Sequence, residues 1–185
     1  MNKFLSGYFD EYHRIISDEK VYELMFSSKK LLEETSKKGN TIFIQGNGAS
    51  AAIASHCALD FTKQAKLKTM SFNESSLITA YANDYGYKDW LKKAFESYSV
   101  KNDTAILISS SGKSPNIVSA AEYVKSIGLN LITFTGFKKD NPLKKIGDIN
   151  FWVDSKAYNI IECIHMIWLT AIIDLVIGKA EYSVN

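Results

Sequence analysis

The sequence is poor in cysteine and proline, with two residues of each among 185. Two cysteines cannot form the disulfide framework of a small secreted protein, and their scarcity is typical of a reducing compartment. Cys57 and Cys163 both fall in apolar helical stretches, so we expect each to pack as a small buried hydrophobe. Residues 1–14 lack the uninterrupted apolar core of a signal peptide. A cytoplasmic protein is therefore expected.

Neither sign of charge is in large excess, because the 22 lysines and arginines nearly balance the 20 aspartates and glutamates and leave a net charge of +2. So balanced a composition offers no basic face, and we expect no nucleic-acid partner. The longest apolar segment, residues 160–178, is interrupted by Glu162, His165 and Asp174. Because charges are costly at membrane depth, we expect a core or subunit-interface helix here, and no membrane partner.

Apolar strands and helices alternate along the sequence, which has no internal repeat, low-complexity tract or linker. Residues 1–38 show apolar positions at helical spacing and are predicted to form an N-terminal helical arm. Strands are predicted at the continuous apolar runs 41–44, 104–108, 129–134 and 151–153, with a further short one at 70–72. Such runs between helices indicate a parallel sheet covered on both faces. We therefore predict a single domain, residues 1–185, whose α/β core at 41–178 is a three-layer α-β-α sandwich around a mainly parallel five-stranded sheet.

A serine-rich turn lies between the strand at 104–108 and a helix predicted to begin at Pro115. A phosphate dianion needs several converging donors, and a helix N-terminus supplies free N–H groups and a favourable dipole. Gly112 lets the backbone come close, and the turn adds four hydroxyls, those of Ser109, Ser110, Ser111 and Ser114. We therefore predict that this serine turn, residues 109–114, binds a phosphorylated ligand. The alternative is an ordinary connector in which Ser114 caps the helix.

A weaker turn of the same kind, the glycine turn at residues 46–50, follows the first predicted strand. Its candidate ligand-binding residues are Asn47, Gly48 and Ser50. It is not a Walker loop, because no Gly-Lys-Ser/Thr ends it, and it lacks the third glycine of the dinucleotide fingerprint. We therefore expect no nucleotide cofactor. A plain tight turn is the alternative for this segment taken by itself.

The two turns and four further segments resemble the sugar isomerase (SIS) domain family, and within it the branch that acts on sedoheptulose 7-phosphate. The matching pieces occur in the family's order and span nearly the whole chain: Gly46-Asn47-Gly48-Ala49-Ser50, His56-Cys57-Ala58-Leu59-Asp60, Ala82-Asn83-Asp84, 109–116, 131–136 and Glu162-Cys163-Ile164-His165. The resemblance implies a phosphosugar ligand and aldose–ketose isomerisation of a seven-carbon sugar phosphate that feeds heptose into a surface polysaccharide. It also implies a homotetramer with sites at subunit interfaces.

Such an isomerisation needs a base at carbon and an acid at oxygen. His56 and Asp60, four apart on one helix, match a family metal ligand and a family ligand or base. Glu162 falls where the family has glutamine or glutamate, and His165 matches a family histidine. We expect catalytic roles for Asp60, Glu162 and His165, and zinc, if it is bound, at His56, Asp60 and Glu162. The alternatives are a solvated helix pair at 56 and 60 and a structural buried ion pair at 162 and 165.

The remaining positions concern the sugar and a departure from the family pattern. Asn83 and Asp84, with Asn47, match positions that contact sugar hydroxyls in the family, although Asp84 could equally cap the turn at 84–86. Thr170 stands where family isomerases carry a histidine that serves as zinc ligand and general acid/base. A threonine hydroxyl cannot exchange protons near neutral pH as imidazole does. The departure leaves open a phosphosugar-binding regulator or adaptor without isomerase activity, or a related enzyme with a changed substrate.

Overall fold

The structure is a computed structural model that describes residues 2–16 and 18–181. Its helices are α1 (Lys3–Ile16), α2 (Lys20–Lys37), α3 (Ala49–Lys63), α4 (Ser75–Tyr85), α5 (Trp90–Tyr98), α6 (Pro115–Ser126), α7 (Pro142–Ile146) and α8 (Tyr158–Ile177). Its strands are β1 (Ile42–Gln45), β2 (Thr69–Met70), β3 (Thr104–Ser109), β4 (Asn130–Thr135) and β5 (Ile149–Trp152). The predicted ranges 1–38 and 1–185 include residues 1, 17 and 182–185, which lie outside the described residues.

The strands form one five-stranded parallel sheet in the order β2-β1-β3-β4-β5. Successive side chains of a strand enter opposite layers: Ile42 and Ile44 pack with α2, α3 and α8, whereas Phe43 packs with α5 and α6. A strand that is covered on both faces needs a continuous apolar run, and β1, β3 and β4 have one. The predicted three-layer α-β-α sandwich with five strands is confirmed, and each strand pair is parallel.

β1, β3 and β4 lie within one residue of their predicted limits, whereas β2 and β5 differ by up to two residues. β2 ends at Met70 and not at Phe72, because the Phe72 N–H donates to the Gln45 side-chain oxygen at 2.9 Å and so leaves the ladder. β5 begins at Ile149, two residues before the predicted apolar run. Asparagine is rare in strands, and Asn150 is accommodated because the Thr133 hydroxyl on β4 donates to its side-chain oxygen at 2.6 Å.

The strand order places a ligand-binding position between β1 and β3. From β1 the chain passes to β2 on one side of the sheet and then returns to β3 on the other side. The connections at the carboxyl ends of β1 and β3 therefore diverge and leave a crevice between them. Crevices of this kind bind ligands in open parallel sheets. The glycine turn follows β1 and the serine turn follows β3, so both face this crevice.

In the described ranges α8 is the one helix that is long and apolar enough to cross a membrane, judged by length and composition. Ile164 and Trp168 of this helix are buried in the core against α2 and α3, so the predicted core helix is confirmed. Cys57 on α3 is also buried, and burial raises the pKa of its thiol to about 12. The prediction is wrong for Cys163, which is exposed, because it faces a cavity between α3 and α8 and not the core.

Candidate functional site

The backbone of the serine turn is fixed by three main-chain hydrogen bonds. The Gly112 N–H donates to the Ser109 carbonyl at 2.9 Å, and its own carbonyl accepts from Leu143 N–H at 3.1 Å. The Ser110 carbonyl accepts from Gly136 N–H at 2.8 Å. The turn is therefore tied both to itself and to the segment that follows β4, and it keeps its shape before a ligand arrives.

Glycine is required at position 112 for two independent reasons. Its φ of 63° lies in the left-handed region, and an added Cβ would stand 2.0 Å from the Asn141 side-chain oxygen. Asn141 is itself buried, and its side chain donates to the Lys138 carbonyl at 2.9 Å and accepts from Lys144 N–H at 2.9 Å. The asparagine thus braces the serine turn from behind.

The Ser114 hydroxyl does not cap the helix that it precedes. Ser114 precedes α6, but its hydroxyl makes no bond to a helical N–H and pairs instead with the Ser109 hydroxyl at 3.0 Å. The capping alternative for Ser114 is therefore wrong. In the described part of the chain the buried Ser110 hydroxyl has no hydrogen-bond partner of standard geometry. A buried hydroxyl in that state is costly, and a ligand oxygen would satisfy it.

A polar cavity of about 150 Å³ lies in front of the serine turn. It is lined by Asn47, Ser50, Ile108, Ser109, Ser110, Ser111, Ser114, Tyr158 and Glu162. At about 30 Å³ of liquid volume per water molecule, the cavity has room for roughly five waters, which suits a small anion. The first turn of α6 leads away from the cavity, so its free N–H groups and positive dipole end add to the serine donors. The number and direction of these donors suit a phosphate group, and phosphate binding at this turn stays a prediction.

The glycine turn closes the other side of the crevice. Gly46 has no room for a side chain, because an added Cβ would lie 2.5 Å from Ser50 Cβ. The Asn47 and Asn116 carboxamides form a reciprocal pair in which each NH₂ donates to the other's oxygen at 2.9 Å. The pair joins the glycine turn to the beginning of α6. Since Asn116 uses both polar ends of Asn47, the side chain predicted to bind the sugar acts first as a clamp between the two turns.

Glu162 is the carboxylate that the structure brings to the serine turn. It lies on α8 and lines the polar cavity together with the serines. Burial raises the pKa of its carboxyl above the ordinary glutamate value, and the neighbouring Ser110 hydroxyl partly offsets the rise. A carboxyl with a raised pKa holds a proton more readily than an ordinary glutamate, which suits a group that takes up and returns a proton.

A second, mainly apolar cavity of about 400 Å³ begins on the other side of Glu162, between α3 and α8. Its lining consists of Ala49, Ala52, Ile53, Asn159, Glu162, Cys163 and Met166. Glu162 lines both cavities, so the carbon chain of a ligand anchored by its phosphate in the polar cavity has a path past this carboxylate into the apolar cavity. Glu162 therefore borders both the polar cavity and the apolar one.

His56 and Asp60 form a pair outside both cavities. His56 Nε2 lies 3.2 Å from Asp60 Oδ2, and the two side chains are 50% and 20% exposed. On α8 burial raises the pKa of the Asp174 carboxyl, and the nearby Asp60 charge raises it further. Neither His56 nor Asp60 lines the two cavities that Glu162 borders.

The zinc prediction can be tested on these donors. A zinc ion takes three protein ligands in a catalytic site and four in a structural one. Within residues 2–16 and 18–181, no group of three or more histidine, cysteine, aspartate or glutamate side chains is placed to hold a metal ion. His56 and Asp60 offer two ligands, and Glu162 is not beside them. The donor set of a single chain therefore does not fit zinc.

His165 lies in the core and not in the site, so the expected catalytic role is corrected. The residue is fully buried, and its Nε2–H donates to the Thr135 carbonyl at 3.1 Å. Burial lowers the pKa of the ring to about 4, so the imidazole is neutral at physiological pH. The ring packs edge-on against Phe134 with centroids 5.7 Å apart. The alternative of a buried ion pair with Glu162 is also wrong, because His165 is neutral and bonded to backbone.

Thr170, Asn83 and Asp84 are likewise not assembled around the serine turn. The Thr170 hydroxyl donates back to the Met166 and Ile167 carbonyls, each at 3.0 Å. Asn83 and Asp84 are exposed near the end of α4, where the Asn83 amide donates to the Asp84 carboxylate at 2.9 Å. α4 continues through Asp84 to Tyr85, so the aspartate does not cap a turn. Any contact of these two residues with sugar stays a prediction.

Sequence reasoning missed three residues that form the site. Asn116 pairs with Asn47, Asn141 braces Gly112, and Tyr158 lines the polar cavity. Tyr158 begins α8, the helix that follows β5, at the sheet edge where ligands bind, and that position was a usable signal. Asn141 carried no signal, because its role depends on a contact with a glycine 29 positions earlier.

Fold and site together define a class of protein, a doubly wound α/β domain with a polar, serine-lined cavity at the switch point of its sheet. Residues 8–136 match the family described as SIS domain. The chain belongs to the SIS domain family.

Individual relatives are similar over most of their length. The phosphoheptose isomerase of Helicobacter pylori is 32% identical over 164 residues, which cover 85% of this chain and 85% of that protein. The phosphoheptose isomerase of Fusobacterium nucleatum is 36% identical over 142 residues, or 74% and 73% of the two chains. The solved structure of a phosphoheptose isomerase from Neisseria gonorrhoeae has a TM-score of 0.87 at 22% identity, covering 95% of this chain and 98% of that one. The last likeness shows a shared fold.

Proposed function

We propose that this SIS-domain protein is an aldose–ketose isomerase that converts sedoheptulose 7-phosphate to a heptose 7-phosphate. The observation that carries the proposal is Glu162, a carboxylate with a raised pKa that lines both the serine-turn cavity and the cavity beside it. The names of the relatives in Helicobacter pylori and Fusobacterium nucleatum supply the substrate. Since the similarity extends over most of the chain, the same reaction is the simplest expectation here.

The phosphate end of the substrate is held by the serine turn. The Ser110 hydroxyl and those of its neighbours donate to the phosphate oxygens, and the N-terminal N–H groups of α6 complete the set. Hydrogen bonds to a charged group contribute about 1.5–3 kcal/mol each. The same interactions exist before and after isomerisation, so they anchor and orient the sugar and do not drive the chemistry.

The chemistry requires a proton to move between adjacent carbons. C1 and C2 lie at the end of the sugar opposite the phosphate on C7, so the carbon chain extends into the second cavity and presents that end to Glu162. The Glu162 carboxylate takes a proton from C1 of the ketose, and the C2 carbonyl oxygen gains a proton from solvent water as an enediol forms. The carboxyl then returns its proton to C2, while the C1 hydroxyl gives its proton to water and becomes the aldehyde oxygen. One group that faces both carbons in turn is sufficient for the carbon-bound proton. Asp60 stays a candidate for the same role, although it lies outside both cavities.

The test is an NMR or coupled assay with sedoheptulose 7-phosphate on the wild type, Glu162→Gln, Asp60→Asn and the control Glu122→Gln. Glu122 is an exposed carboxylate on α6 away from the cavity lining. We expect Glu162→Gln to lower kcat by a factor of about 100 or more with little change in KM, and Glu122→Gln to be neutral. Equal activity of the wild type and Glu162→Gln contradicts the role of the carboxylate. No turnover by the wild type, with or without added zinc, contradicts the reaction.

The phosphate assignment is tested separately by the double variant Ser110→Ala with Ser111→Ala. We expect the affinity for the sugar phosphate to fall by about 1–3 kcal/mol, or roughly 5- to 150-fold in Kd. The matched control is Ser119→Ala, since Ser119 lies on α6, which follows the serine turn, but its hydroxyl donates to Asp89 and does not line the cavity. An unchanged Kd in the serine-turn variant would place the phosphate elsewhere.

A second function, phosphosugar binding without isomerisation, is favoured by Thr170. Its hydroxyl is bound to its own helix, so it supplies neither a proton carrier nor a metal ligand. A protein of this second kind would bind sedoheptulose 7-phosphate through the serine turn and release it unchanged. Measuring binding and turnover on the same preparation separates the two functions.

We also propose that the protein acts in the cytoplasm as a homotetramer, in a route that supplies heptose to a surface polysaccharide. Supporting the assembly, Phe4 and Phe9 of α1 are 72% and 54% exposed, and apolar surface of this kind is usually covered by a partner. Light scattering on the wild type and on Phe4→Ser with Phe9→Ser tests the assembly. A wild-type monomer at micromolar concentration would contradict it.

A further inference from the structure

Tyr158 occupies a position that the isomerase proposal does not use. It is the first residue of α8 and lines the polar cavity opposite the serine turn, one helical turn before Glu162. Its side chain is not part of the core, because 56% of the residue is exposed. A large aromatic ring at the rim of a phosphate cavity is therefore available to a ligand.

The ring is held in place by Phe137, which follows β4. The two ring centroids are 4.8 Å apart with an interplanar angle of 58°, a favourable tilted contact. Phe137 has a φ of 55°, in the left-handed region that a bulky residue rarely adopts. Its N–H donates to the Ser155 carbonyl at 2.9 Å, which ties the strained residue to the segment that leads into α8. Backbone strain of this kind persists where the surroundings enforce it, and it collects at ligand sites.

A tyrosine in this place meets a particular part of a phosphorylated ligand. The serine hydroxyls and the N-terminus of α6 take the phosphate oxygens, so the first carbons beyond the phosphate lie against the remaining lining of the polar cavity. Tyr158 lines the same cavity and presents an aromatic face, which packs well against C–H groups. We propose that Tyr158 is a substrate-binding residue that packs its ring on the carbon chain next to the phosphate, with Phe137 as its positioning residue. The identity of the sugar rests on the proposed function, but the contact itself does not.

The experiment compares two probes by calorimetry, inorganic phosphate and glycerol 3-phosphate, because only the second carries carbons beside its phosphate. We expect Tyr158→Ala to raise the Kd for glycerol 3-phosphate by about 5- to 20-fold, which is the effect of losing one aromatic contact, and the Kd for inorganic phosphate by less than about 2-fold. Tyr158→Phe keeps the ring and should bind both probes like the wild type. Tyr22→Ala, at an exposed tyrosine on α2, is the control for loss of a surface ring.

The Phe137→Gly variant tests the positioning role. Glycine accepts the left-handed φ, so the loop keeps its backbone while the supporting ring is removed. We expect Phe137→Gly to lower the affinity for glycerol 3-phosphate by about 3- to 10-fold and to leave the affinity for inorganic phosphate unchanged. Adding Phe137→Gly to Tyr158→Ala should cause no further loss of affinity. Additive losses would show that Phe137 does not act through Tyr158.

Two results overturn the inference. One is a Tyr158→Ala protein that binds glycerol 3-phosphate as well as the wild type does. The other is an equal loss for both probes, which would mean that the tyrosine acts on the phosphate itself. A wild type that binds glycerol 3-phosphate but neither binds nor converts sedoheptulose 7-phosphate would refute the proposed function and leave the Tyr158 contact standing.

Discussion

The reciprocal carboxamide pair between Asn47 and Asn116 offers a sharp test of how the site is held together. Each of its two hydrogen bonds is 2.9 Å long, and Asn116 is 1% exposed. A neutral hydrogen bond contributes about 0.5–1.5 kcal/mol net, so the pair contributes about 1–3 kcal/mol. Asn47→Ala leaves the buried Asn116 amide without its partner, whereas Asn116→Ala leaves a half-buried amide that water can reach, so the first variant should lose at least as much stability as the second.

The assay is a double-mutant cycle in urea, on the wild type, Asn47→Ala, Asn116→Ala and the double variant. We expect the double variant to be more stable than the sum of the single losses predicts, with a coupling of about 1–3 kcal/mol in the free energy of unfolding. Asn47→Ala combined with Asn150→Ala is the control. Asn150 bonds to Thr133 and Gly147 on the other side of β4, so these two losses should add within about 0.5 kcal/mol.

A coupling near zero would refute the reasoning, because it would show that the two amides do not bond in solution. Asn47 would then be free to bind sugar, as its family position implies. With the predicted coupling, both single variants should also weaken phosphosugar binding, since the clamp sets the distance between the glycine turn and the serine turn. Calorimetry on the same proteins measures that second effect.

Two further predictions concern Gly112 and His165. Gly112→Ala and Gly128→Ala both place alanine at positive φ, which costs about 1–2 kcal/mol of stability, but only at position 112 would the added Cβ stand 2.0 Å from Asn141. The affinity for phosphate should therefore fall at least about 10-fold in Gly112→Ala and stay unchanged in Gly128→Ala. Equal Kd values for the two variants would contradict the bracing role of Asn141. Because the pKa of His165 falls from 6.5 unfolded to about 4 folded, acidification from pH 6.5 to 4 protonates the unfolded chain first and removes about 3 kcal/mol of stability. The free energy of unfolding of His165→Leu should therefore fall less between pH 6.5 and 4 than that of the wild type, whereas His13→Gln should behave like the wild type. Parallel pH profiles of the wild type and His165→Leu would contradict the neutral, buried state of His165.

The sheet and the serine turn could be predicted from the sequence because their signals are local. β1, β3 and β4 are continuous apolar runs, and a serine-rich turn between a strand and Pro115 has few other uses. The strand order is not local, and it depends on how helices pack on either side of β1. β2 shows the limit most clearly, since its two residues are paired on one side only.

Helix phase explains why Glu162 could be assigned to the site and His165 could not. The two residues are three apart, which turns the side chain by about 60° around the helix axis. That rotation takes position 162 to the cavities and position 165 into the core against Phe134. A sequence shows the spacing of two polar residues on an apolar helix, but not which of them the neighbouring strand covers. Tyr158 could not be assigned to the site from the sequence, because a tyrosine at the start of a helix is common and does not by itself indicate a ligand contact.

The origin of the cavity walls has a consequence for synthesis of the protein. The serine donors come from residues 109–114, whereas Tyr158 and Glu162 come from α8, which follows all five strands. During synthesis the serine turn can fold while α8 is still inside the ribosomal exit tunnel. A ligand that needs both walls therefore recognises chains only after α8 has docked, and its presence should slow proteolysis of the segment from β5 to α8 most of all.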